Sequence, residues 1–184
     1  MAETDKLIVL DRDGVINHDS EDYIKTPEEW RPLSGSLDAI AALTAAGFRV
    51  VVVSNQSGIG RGLFSEAVLD EIHRKMTSAV EAAGGAIAGI YYCPHVPDDG
   101  CNCRKPRPGL LERIRDDLNV SLSGIPFVGY KAADMTLARR VGARPILVLT
   151  GYGRATLASL HDTEVEAFSD LASAASALLG ERGK

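Results

Sequence analysis

Short apolar runs alternate with longer amphipathic segments along most of this chain. Five runs are too short for helices and rich in β-branched or aromatic residues, which predicts strands at residues 7–10, 49–53, 87–92, 126–128 and 145–149. Most of these runs end in a polar or glycine-rich loop. The pattern therefore predicts short strands buried inside a sheet.

Helical segments fall between the predicted strands. Three of them are followed by a glycine that is typical of a helix end, namely Gly47, Gly84 and Gly142. We expect helices at residues 37–46, 65–83, 108–117 and 132–141, and a last helix that is capped by Ser169 and ends near Leu179. This alternation predicts the α/β class, as a Rossmann-like parallel sheet with helices on both faces.

The composition indicates one globular domain over residues 1–184. Hydrophobic residues make up 45% and charged residues 24%, which argues against a disordered or disulfide-dense chain. The net charge of −5 and the absence of a long basic run argue against a nucleic-acid partner. No apolar run approaches the roughly 20 residues that span a membrane, and the first five residues are acidic rather than signal-like. We therefore expect a cytoplasmic monomer with a small-molecule partner.

Two carboxylates follow the first predicted strand directly. Asp11 and Asp13 are separated by one residue, and Gly14 offers a turn that brings the chain back. Such a pair can divide nucleophilic work from acid–base work, with one carboxylate at an electrophile and the other at the leaving group. A simple turn after a strand, or a calcium loop, has the same spacing.

Two further loops carry candidate chemistry at the same predicted sheet edge. The second strand runs into a polar, glycine-rich loop over residues 54–62, which is suited to holding a phosphoryl group but also to a plain surface loop. Lys105 precedes a stiff proline-rich stretch that leads to a helix start. A solvated lysine is the ordinary alternative for that side chain.

The three cysteines cluster with a histidine in one loop. They form a C-x-H-x5-C-x-C spacing with four soft or borderline ligands, and a Cys3His set suits a closed tetrahedral zinc site. A redox pair or buried thiols are the alternatives. The predicted zinc ligands are Cys93, His95, Cys101 and Cys103. For the other histidines, His18, His73 and His161, we expect solvent-exposed or core-edge roles.

Three motifs in this order resemble the haloacid dehalogenase superfamily of phosphatases: D-R-D-G-V at residues 11–15, S-N-Q-S-G at 54–58 and C-R-K-P-x-P-G at 103–109. Within it, the chain is most similar to the group of heptose-bisphosphate and histidinol phosphatases, and S-N-Q-S-G is closer to the heptose branch. The resemblance implies removal of the C7 phosphate of a heptose 1,7-bisphosphate on the route to ADP-heptose for lipopolysaccharide. Histidinol phosphate is the alternative substrate.

The resemblance also implies roles for individual residues. Asp11 is expected to form an aspartyl-phosphate, while Asp13 protonates the leaving oxygen and then activates water. Lys105 is expected to offset the negative charge of Asp11 and the phosphate, and Mg²⁺ to meet the Asp11 side chain and the Asp13 carbonyl. The residues expected around the substrate are Ser54, Asn55, Gln56 and Lys131, with Arg61 and Arg104 for a second phosphate or for sugar hydroxyls. Either arginine is otherwise a surface charge.

The spacing leaves no room for a large cap domain, so we expect an open site. Residues 14–36, with Trp30 and Pro32, are the predicted substrate-flanking flap. The resemblance further implies zinc in the cysteine loop, where the metal would fix the direction of Arg104 and Lys105.

One position departs from the pattern of the resembling family. Residues 129–134 are G-Y-K-A-A-D, where the family has G-D-K-x-x-D with the first aspartate as a Mg²⁺ ligand. A neutral phenol at Tyr130 is a poor ligand, so Mg²⁺ affinity should fall, and Asp134 is a tentative rescue through a water. The chain is then either an impaired phosphatase or a catalytically silent phosphosugar-binding protein. Packing of Tyr130 beside the sheet is compatible with both.

Overall fold

The structure is a computed structural model that describes residues 6–160 and 165–181. Six strands form one parallel sheet in the order β3-β2-β1-β4-β5-β6. They are β1 Leu7–Asp11, β2 Arg49–Asn55, β3 Gly89–Cys93, β4 Pro126–Gly129, β5 Arg144–Val148 and β6 Glu166–Phe168. The predicted class is confirmed.

Six α-helices connect and cover the strands. They are α1 Ser36–Ala45, α2 Glu66–Ala82, α3 Gly109–Leu118, α4 Ala132–Arg140, α5 Gly153–Ser159 and α6 Leu171–Gly180. Two 3₁₀ turns, Pro27–Glu29 and Pro97–Asp99, lie in the loops. Within the described residues, no helix is long and apolar enough to cross a membrane.

The sheet divides the core into two halves. On one face, alternate residues of β1 and β2 pack against α1, α2 and α6, and on the other face they pack against α3 and α4. All five residues of β1 are buried, and Val9 pairs with Val51 on one side and Phe127 on the other. Helices therefore cover both faces, because every strand residue near the centre needs an apolar neighbour.

Three details differ from the sequence prediction. β6 and α5 were not expected, since Glu166–Phe168 is a short and largely exposed edge strand and Gly153–Ser159 has little apolar periodicity. The last helix is capped by Asp170, whose Oδ1 accepts from the Ser173 amide at 2.8 Å, rather than by Ser169. His161 and the first five residues lie outside the described residues.

Candidate active site

The candidate site lies where the strand order reverses. β1 has β2 as its neighbour on one side and β4 on the other, so the order of strands along the chain reverses at β1. In α/β sheets, ligands bind in the crevice at the carboxyl ends of the strands at such a switch point. Asp11 ends β1, Asn55 ends β2 and Gly129 ends β4. The topology therefore brings three sequence-distant loops to one place.

Lys105 holds two carboxylates together at the floor of the site. Its Nζ lies 2.9 Å from Asp11 Oδ1 and 2.8 Å from Asp134 Oδ1, and all three side chains are at least nine-tenths buried. Burial alone would lower the pKa of Lys105, but the two carboxylates outweigh it and raise the pKa. The lysine therefore stays charged inside the protein.

Asp11 presents one oxygen to the site. Its Oδ1 accepts from the Arg12 amide at 2.7 Å and from Lys105, while no donor among residues 6–160 and 165–181 is bonded to Oδ2. Burial raises the pKa of Asp11 to about 7, against the lowering effect of Lys105. Oδ2 is the oxygen placed to meet an electrophile.

Asp13 is held by three side chains from different parts of the chain. Arg12 Nε and Nη2 donate to its two oxygens at 3.0 and 3.1 Å, Asn17 donates at 2.9 Å and Gln56 at 3.0 Å. Burial would raise the pKa of Asp13, but the Arg12 charge and these hydrogen bonds lower it. Asp13 therefore rests as a carboxylate in a fixed orientation, beside Asp11 because Gly14 turns the chain at φ +76°.

The loop after β2 organises the floor. The Asn55 side chain makes two hydrogen bonds to the Lys105 backbone, from Nδ2 to the carbonyl at 3.2 Å and from the Lys105 amide to Oδ1 at 3.0 Å. The Gln56 amide also donates to Ser54 Oγ at 2.7 Å. Asn55 was predicted to hold a phosphoryl group. Its two hydrogen bonds also position the Lys105 backbone.

These groups line a single cavity of about 390 Å³. Most predicted catalytic and substrate-binding residues lie on its wall: Asp11, Asp13, Ser54, Asn55, Gln56, Arg104, Lys105, Lys131 and Asp134. Arg61 is exposed and is not among the lining residues. The flap contributes residues 19–21, 23 and 24, whereas Trp30 is buried in the core, so the expectation of Trp30 beside the substrate was wrong.

Asp134 pairs with Lys105 and caps the start of α4. Its Oδ1 meets Lys105, and its Oδ2 accepts from the Tyr130 and Lys131 amides at 3.2 and 3.0 Å, which caps the start of α4. Both oxygens are thus engaged by the protein. These contacts give Asp134 the role of holding Lys105, and a water-bridged metal role for Asp134 stays a prediction.

Tyr130 bridges Gly14 and Asp19 of the flap. Its ring covers Gly14, where an added Cβ would come within 2.6 Å of the ring carbons, and its hydroxyl donates to Asp19 Oδ2 of the flap. Lys131 Nζ lies 3.3 Å from the same Asp19 oxygen and 4.7 Å from the centre of the Tyr130 ring. Burial, followed by the charge of Asp11, raises the pKa of Tyr130, so the phenol stays neutral. Its oxygen is committed to the flap.

The four predicted zinc ligands converge on one point. Cys93 Sγ lies 3.6 Å from His95 Nδ1, 3.6 Å from Cys101 Sγ and 3.3 Å from Cys103 Sγ, and His95 Nδ1 lies 3.2 Å from Cys103 Sγ. Zn–S bonds of about 2.3 Å in a tetrahedron put neighbouring sulfurs just under 4 Å apart. The donor set therefore fits zinc in both kind and spacing.

The cysteine loop is tied to the floor of the site. Arg104 follows it, and its Nη1 donates to the His95 carbonyl at 3.3 Å. Lys105 comes next in the chain. The direction from which Lys105 enters the site thus depends on this loop, as the sequence order suggests.

Sequence reasoning missed several residues that hold the site. Arg12, Asn17 and Asp19 were not singled out, although Arg12 stands between two buried carboxylates and must be paired. His73 was expected at the core edge and is buried, with Nε2 3.3 Å from Arg12 Nη1. Contacts between α2 and the first loop have no signal in the local sequence.

Comparisons with known proteins agree with this geometry. Residues 102–174 match the HAD-hydrolase-like family model. A D-glycero-beta-D-manno-heptose-1,7-bisphosphate 7-phosphatase of Pseudomonas aeruginosa is 51% identical, over 94% of this chain and 97% of that protein. The enzyme of the same name from Escherichia coli is 39% identical, over 82% of this chain and 83% of that protein.

Solved structures give the same result. The crystal structure of the D,D-heptose 1,7-bisphosphate phosphatase from B. bronchiseptica, complexed with magnesium and phosphate, is 50% identical with a TM-score of 0.93, covering 96% of this chain and 99% of that one. The enzyme from Burkholderia thailandensis is 40% identical with a TM-score of 0.75, covering 95% and 98%. The chain therefore belongs to the D-glycero-β-D-manno-heptose-1,7-bisphosphate 7-phosphatase family of HAD-like hydrolases.

Proposed function

We propose that this chain hydrolyses the C7 phosphate of D-glycero-D-manno-heptose 1,7-bisphosphate, a step toward ADP-heptose for lipopolysaccharide. The observation that carries the proposal is Asp11 at the tip of the central strand, on the wall of the cavity, with one oxygen held by Lys105 and the Arg12 amide. The relatives that share half of this sequence bear the name of that activity.

The mechanism divides the chemistry between two carboxylates. Asp11 Oδ2 attacks phosphorus and forms an aspartyl-phosphate while the bond to the sugar oxygen breaks. The negative charge of the bound phosphate raises the pKa of Asp13, so Asp13 takes up a proton in the complex and passes it to the sugar oxygen. Asp13 then removes a proton from water, which attacks the same phosphorus and releases Asp11 and inorganic phosphate. Lys105 offsets the negative charge of Asp11 and of the phosphoryl oxygens. The Ser54 and Gln56 side chains, which are hydrogen-bonded to each other, lie beside these groups.

Magnesium is the expected cofactor, and the donor set fits it in part. The Asp11 carboxylate, through the oxygen that does not attack phosphorus, and the Asp13 carbonyl are the hard oxygens that would hold it, and the ion when bound would neutralise charge on the phosphate. The carboxylate that the resembling family has at position 130 is missing, because residue 130 supplies a neutral phenol that donates to Asp19. We therefore propose that this chain binds Mg²⁺ weakly and turns over slowly at ordinary Mg²⁺ concentrations.

The test compares the wild-type chain with Tyr130→Asp and with Tyr130→Phe. Tyr130→Asp adds a carboxylate, so we expect Mg²⁺ affinity by calorimetry and phosphate release from the heptose bisphosphate each to rise by about tenfold or more. Tyr130→Phe removes the hydroxyl without adding a ligand and should not recover activity. Equal affinity and turnover in all three folded proteins would overturn the impaired-site proposal.

A catalytically silent phosphosugar-binding protein is the second candidate. The hydrogen bond between Tyr130 and Asp19 favours this candidate, because that bond joins the flap to the site. Binding of the heptose bisphosphate without phosphate release, in both the wild-type chain and Tyr130→Asp, would establish this candidate and exclude hydrolysis. Histidinol phosphate in the same assay tests the alternative substrate.

We further propose a structural zinc ion held by Cys93, His95, Cys101 and Cys103. The convergence of three thiols and an imidazole nitrogen supports it. Metal analysis of the purified protein should find roughly one zinc per chain. A protein that folds and binds substrate fully without zinc would exclude this role.

The chain is further proposed to act as one domain and as a monomer in the cytoplasm, without nucleic acid. The net charge of −5 supports the last point. Light scattering after gel filtration should give a mass near 19.6 kDa. A mass of twice that value or more would overturn the monomer.

A further inference from the structure

His73 lies behind Asp13, on the buried face of α2. The side chain is 7% exposed, and its Nε2 is 3.3 Å from Arg12 Nη1. On its other side the imidazole ring lies 5.8 Å from the ring of Tyr92. His73 does not line the cavity of the candidate active site. It lines a second, shallow cavity on the outer face, together with Thr77.

Arg12 connects His73 to the site. The arginine is 1% exposed, and its guanidinium points in two directions: Nε and Nη2 donate to Asp13, and Nη1 faces His73. A guanidinium is planar and rigid, so a partner that fixes one nitrogen also fixes the direction of the others. The orientation of the Asp13 carboxylate therefore depends on both ends of Arg12.

The imidazole is in the form that accepts a hydrogen bond. Burial and then the Arg12 charge lower the pKa of His73 to about 3, so the ring is neutral around pH 7. A neutral ring has one nitrogen with a free lone pair, and Arg12 only donates. The contact between Nη1 and Nε2 thus places the lone pair on Nε2 and the proton on Nδ1.

We infer that His73 is a positioning residue for the hydrolysis, which holds Arg12 so that Arg12 presents Asp13 to the leaving oxygen. The inference rests on the proposed function, because Asp13 is the group that delivers the proton there. His73 itself touches neither the substrate cavity nor the reacting atoms.

The test uses the dependence on the leaving group. A sugar alkoxide needs a proton as it leaves and a nitrophenolate does not, so a misplaced Asp13 slows the first reaction and spares the second. In His73→Leu we expect kcat/KM for the sugar phosphate to fall by about tenfold or more, and for p-nitrophenyl phosphate by less than about threefold. His73→Gln carries an acceptor oxygen and should recover most of the loss. Where wild-type turnover is too slow, the same variants are made with Tyr130→Asp.

Thr77→Val is the matched control. Thr77 lies one turn further along α2 and lines the same shallow cavity, but it has no contact with Arg12. We expect it to leave both reactions unchanged. Equal loss on both substrates in His73→Leu would indicate a general packing defect and overturn the inference, as would full activity or a failure of His73→Gln to rescue.

A second measurement does not need turnover. The side-chain Nε–H signal of Arg12 in NMR spectra should be slow to exchange in the wild-type chain and in His73→Gln, and should broaden or vanish in His73→Leu. An unchanged signal in His73→Leu overturns the inference. If no variant hydrolyses either substrate, the proposed function fails, while the Arg12 signal still decides whether His73 positions the guanidinium.

Discussion

The floor of the site and the cysteine loop are neighbours in sequence but differ in how their charges are balanced. At the floor, Lys105 lies between Asp11 and Asp134, and Arg12 pairs with Asp13, so the protein supplies both signs. In the cysteine loop, three thiols and an imidazole face each other. The arginines that reach this loop, Arg104 and Arg107, bond backbone carbonyls. The comparison teaches that the floor balances its charges with the protein's own side chains, whereas the loop has a donor set that a metal ion would complete.

The two regions also differ in burial. The three side chains at the centre of the floor are at most 5% exposed, whereas Cys93 is the buried member of the cysteine cluster and the others are half-buried. Removal of a partner from the floor leaves an uncompensated charge in a low dielectric. Removal of the metal from the loop leaves three cysteine side chains, two of which are partly exposed to water. We therefore expect larger effects at the floor.

The largest expected effect is that of Lys105→Met. The change leaves two buried carboxylates facing each other and removes the charge beside the nucleophile, so hydrolysis should fall by about 10²–10³-fold. The free energy of unfolding should fall by about 3–5 kcal/mol, measured by urea denaturation. Lys131→Met is the control: that lysine is exposed and lies 3.3 Å from Asp19, so its loss should cost no more than about 1 kcal/mol. A Lys105→Met protein as stable as the wild type would contradict a charge-balanced floor.

Zinc removal comes next. A strong chelator under reducing conditions should lower the melting temperature by roughly 10 °C, equivalent to about 3 kcal/mol, because metal binding to the folded loop is lost. Added zinc should restore the wild-type chain but not Cys101→Ser. A melting temperature that chelation leaves unchanged would mean that the loop is complete without metal.

A smaller effect is expected at Asn55, which holds the Lys105 backbone just after the cysteine loop. Asn55→Ala removes both hydrogen bonds to the Lys105 backbone, which should cost about 1–3 kcal/mol and lower kcat/KM by about tenfold through misplacement of the lysine. Asn102→Ala is the control, since that amide bonds Glu112 at the surface. Denaturation and steady-state kinetics measure the two quantities, and equal effects of the two variants would contradict the role of Asn55.

The smallest effect is expected for a single helix-capping hydrogen bond that lies far from both regions. Asp170→Ala should cost about 1 kcal/mol, and Ser169→Ala less, because Asp170 accepts from the Ser173 amide. The hydrogen bond from the Ser173 amide lowers the pKa of Asp170 in the folded state. Its stabilisation is therefore present above the ordinary carboxyl pKa and is lost as pH falls through the folded value. In denaturation across pH 2–7, the difference in unfolding free energy between the wild type and Asp170→Ala should therefore shrink as pH falls.

Much of the fold was predictable because it depends on local pattern. The apolar runs that became β1, β2 and β4 are bounded by turns, and alternation with helices implied a parallel sheet. β6 was missed because three exposed residues carry no periodicity, and its place at the sheet edge is set by pairing with β5. Ser169 was predicted as the cap of the last helix. Ser169 and its neighbour Asp170 can both accept a hydrogen bond from a helix amide, and only the backbone geometry distinguishes them.

The candidate site was predictable as a set of residues but not as an arrangement. The spacing of the cysteines and histidine indicated their common ligand, and all four converge. The pairing of Asp134 with Lys105 was not predicted, because it depends on how α4 and the proline-rich stretch meet. The partner of Tyr130 is Asp19, more than a hundred residues away in the chain.

The amino-acid sequence by itself determined the class of the fold, the groups available for chemistry and the departure at Tyr130. These depend on hydrophobic periodicity, side-chain chemistry and motif order, which are local properties. Only the tertiary structure decided which charged and polar groups pair: Lys105 with Asp11 and Asp134, and Arg12 with Asp13 and with the neutral His73. The reason is that the energy of a buried charge depends on its distance from groups that the sheet brings together, and sequence separation carries no measure of that distance.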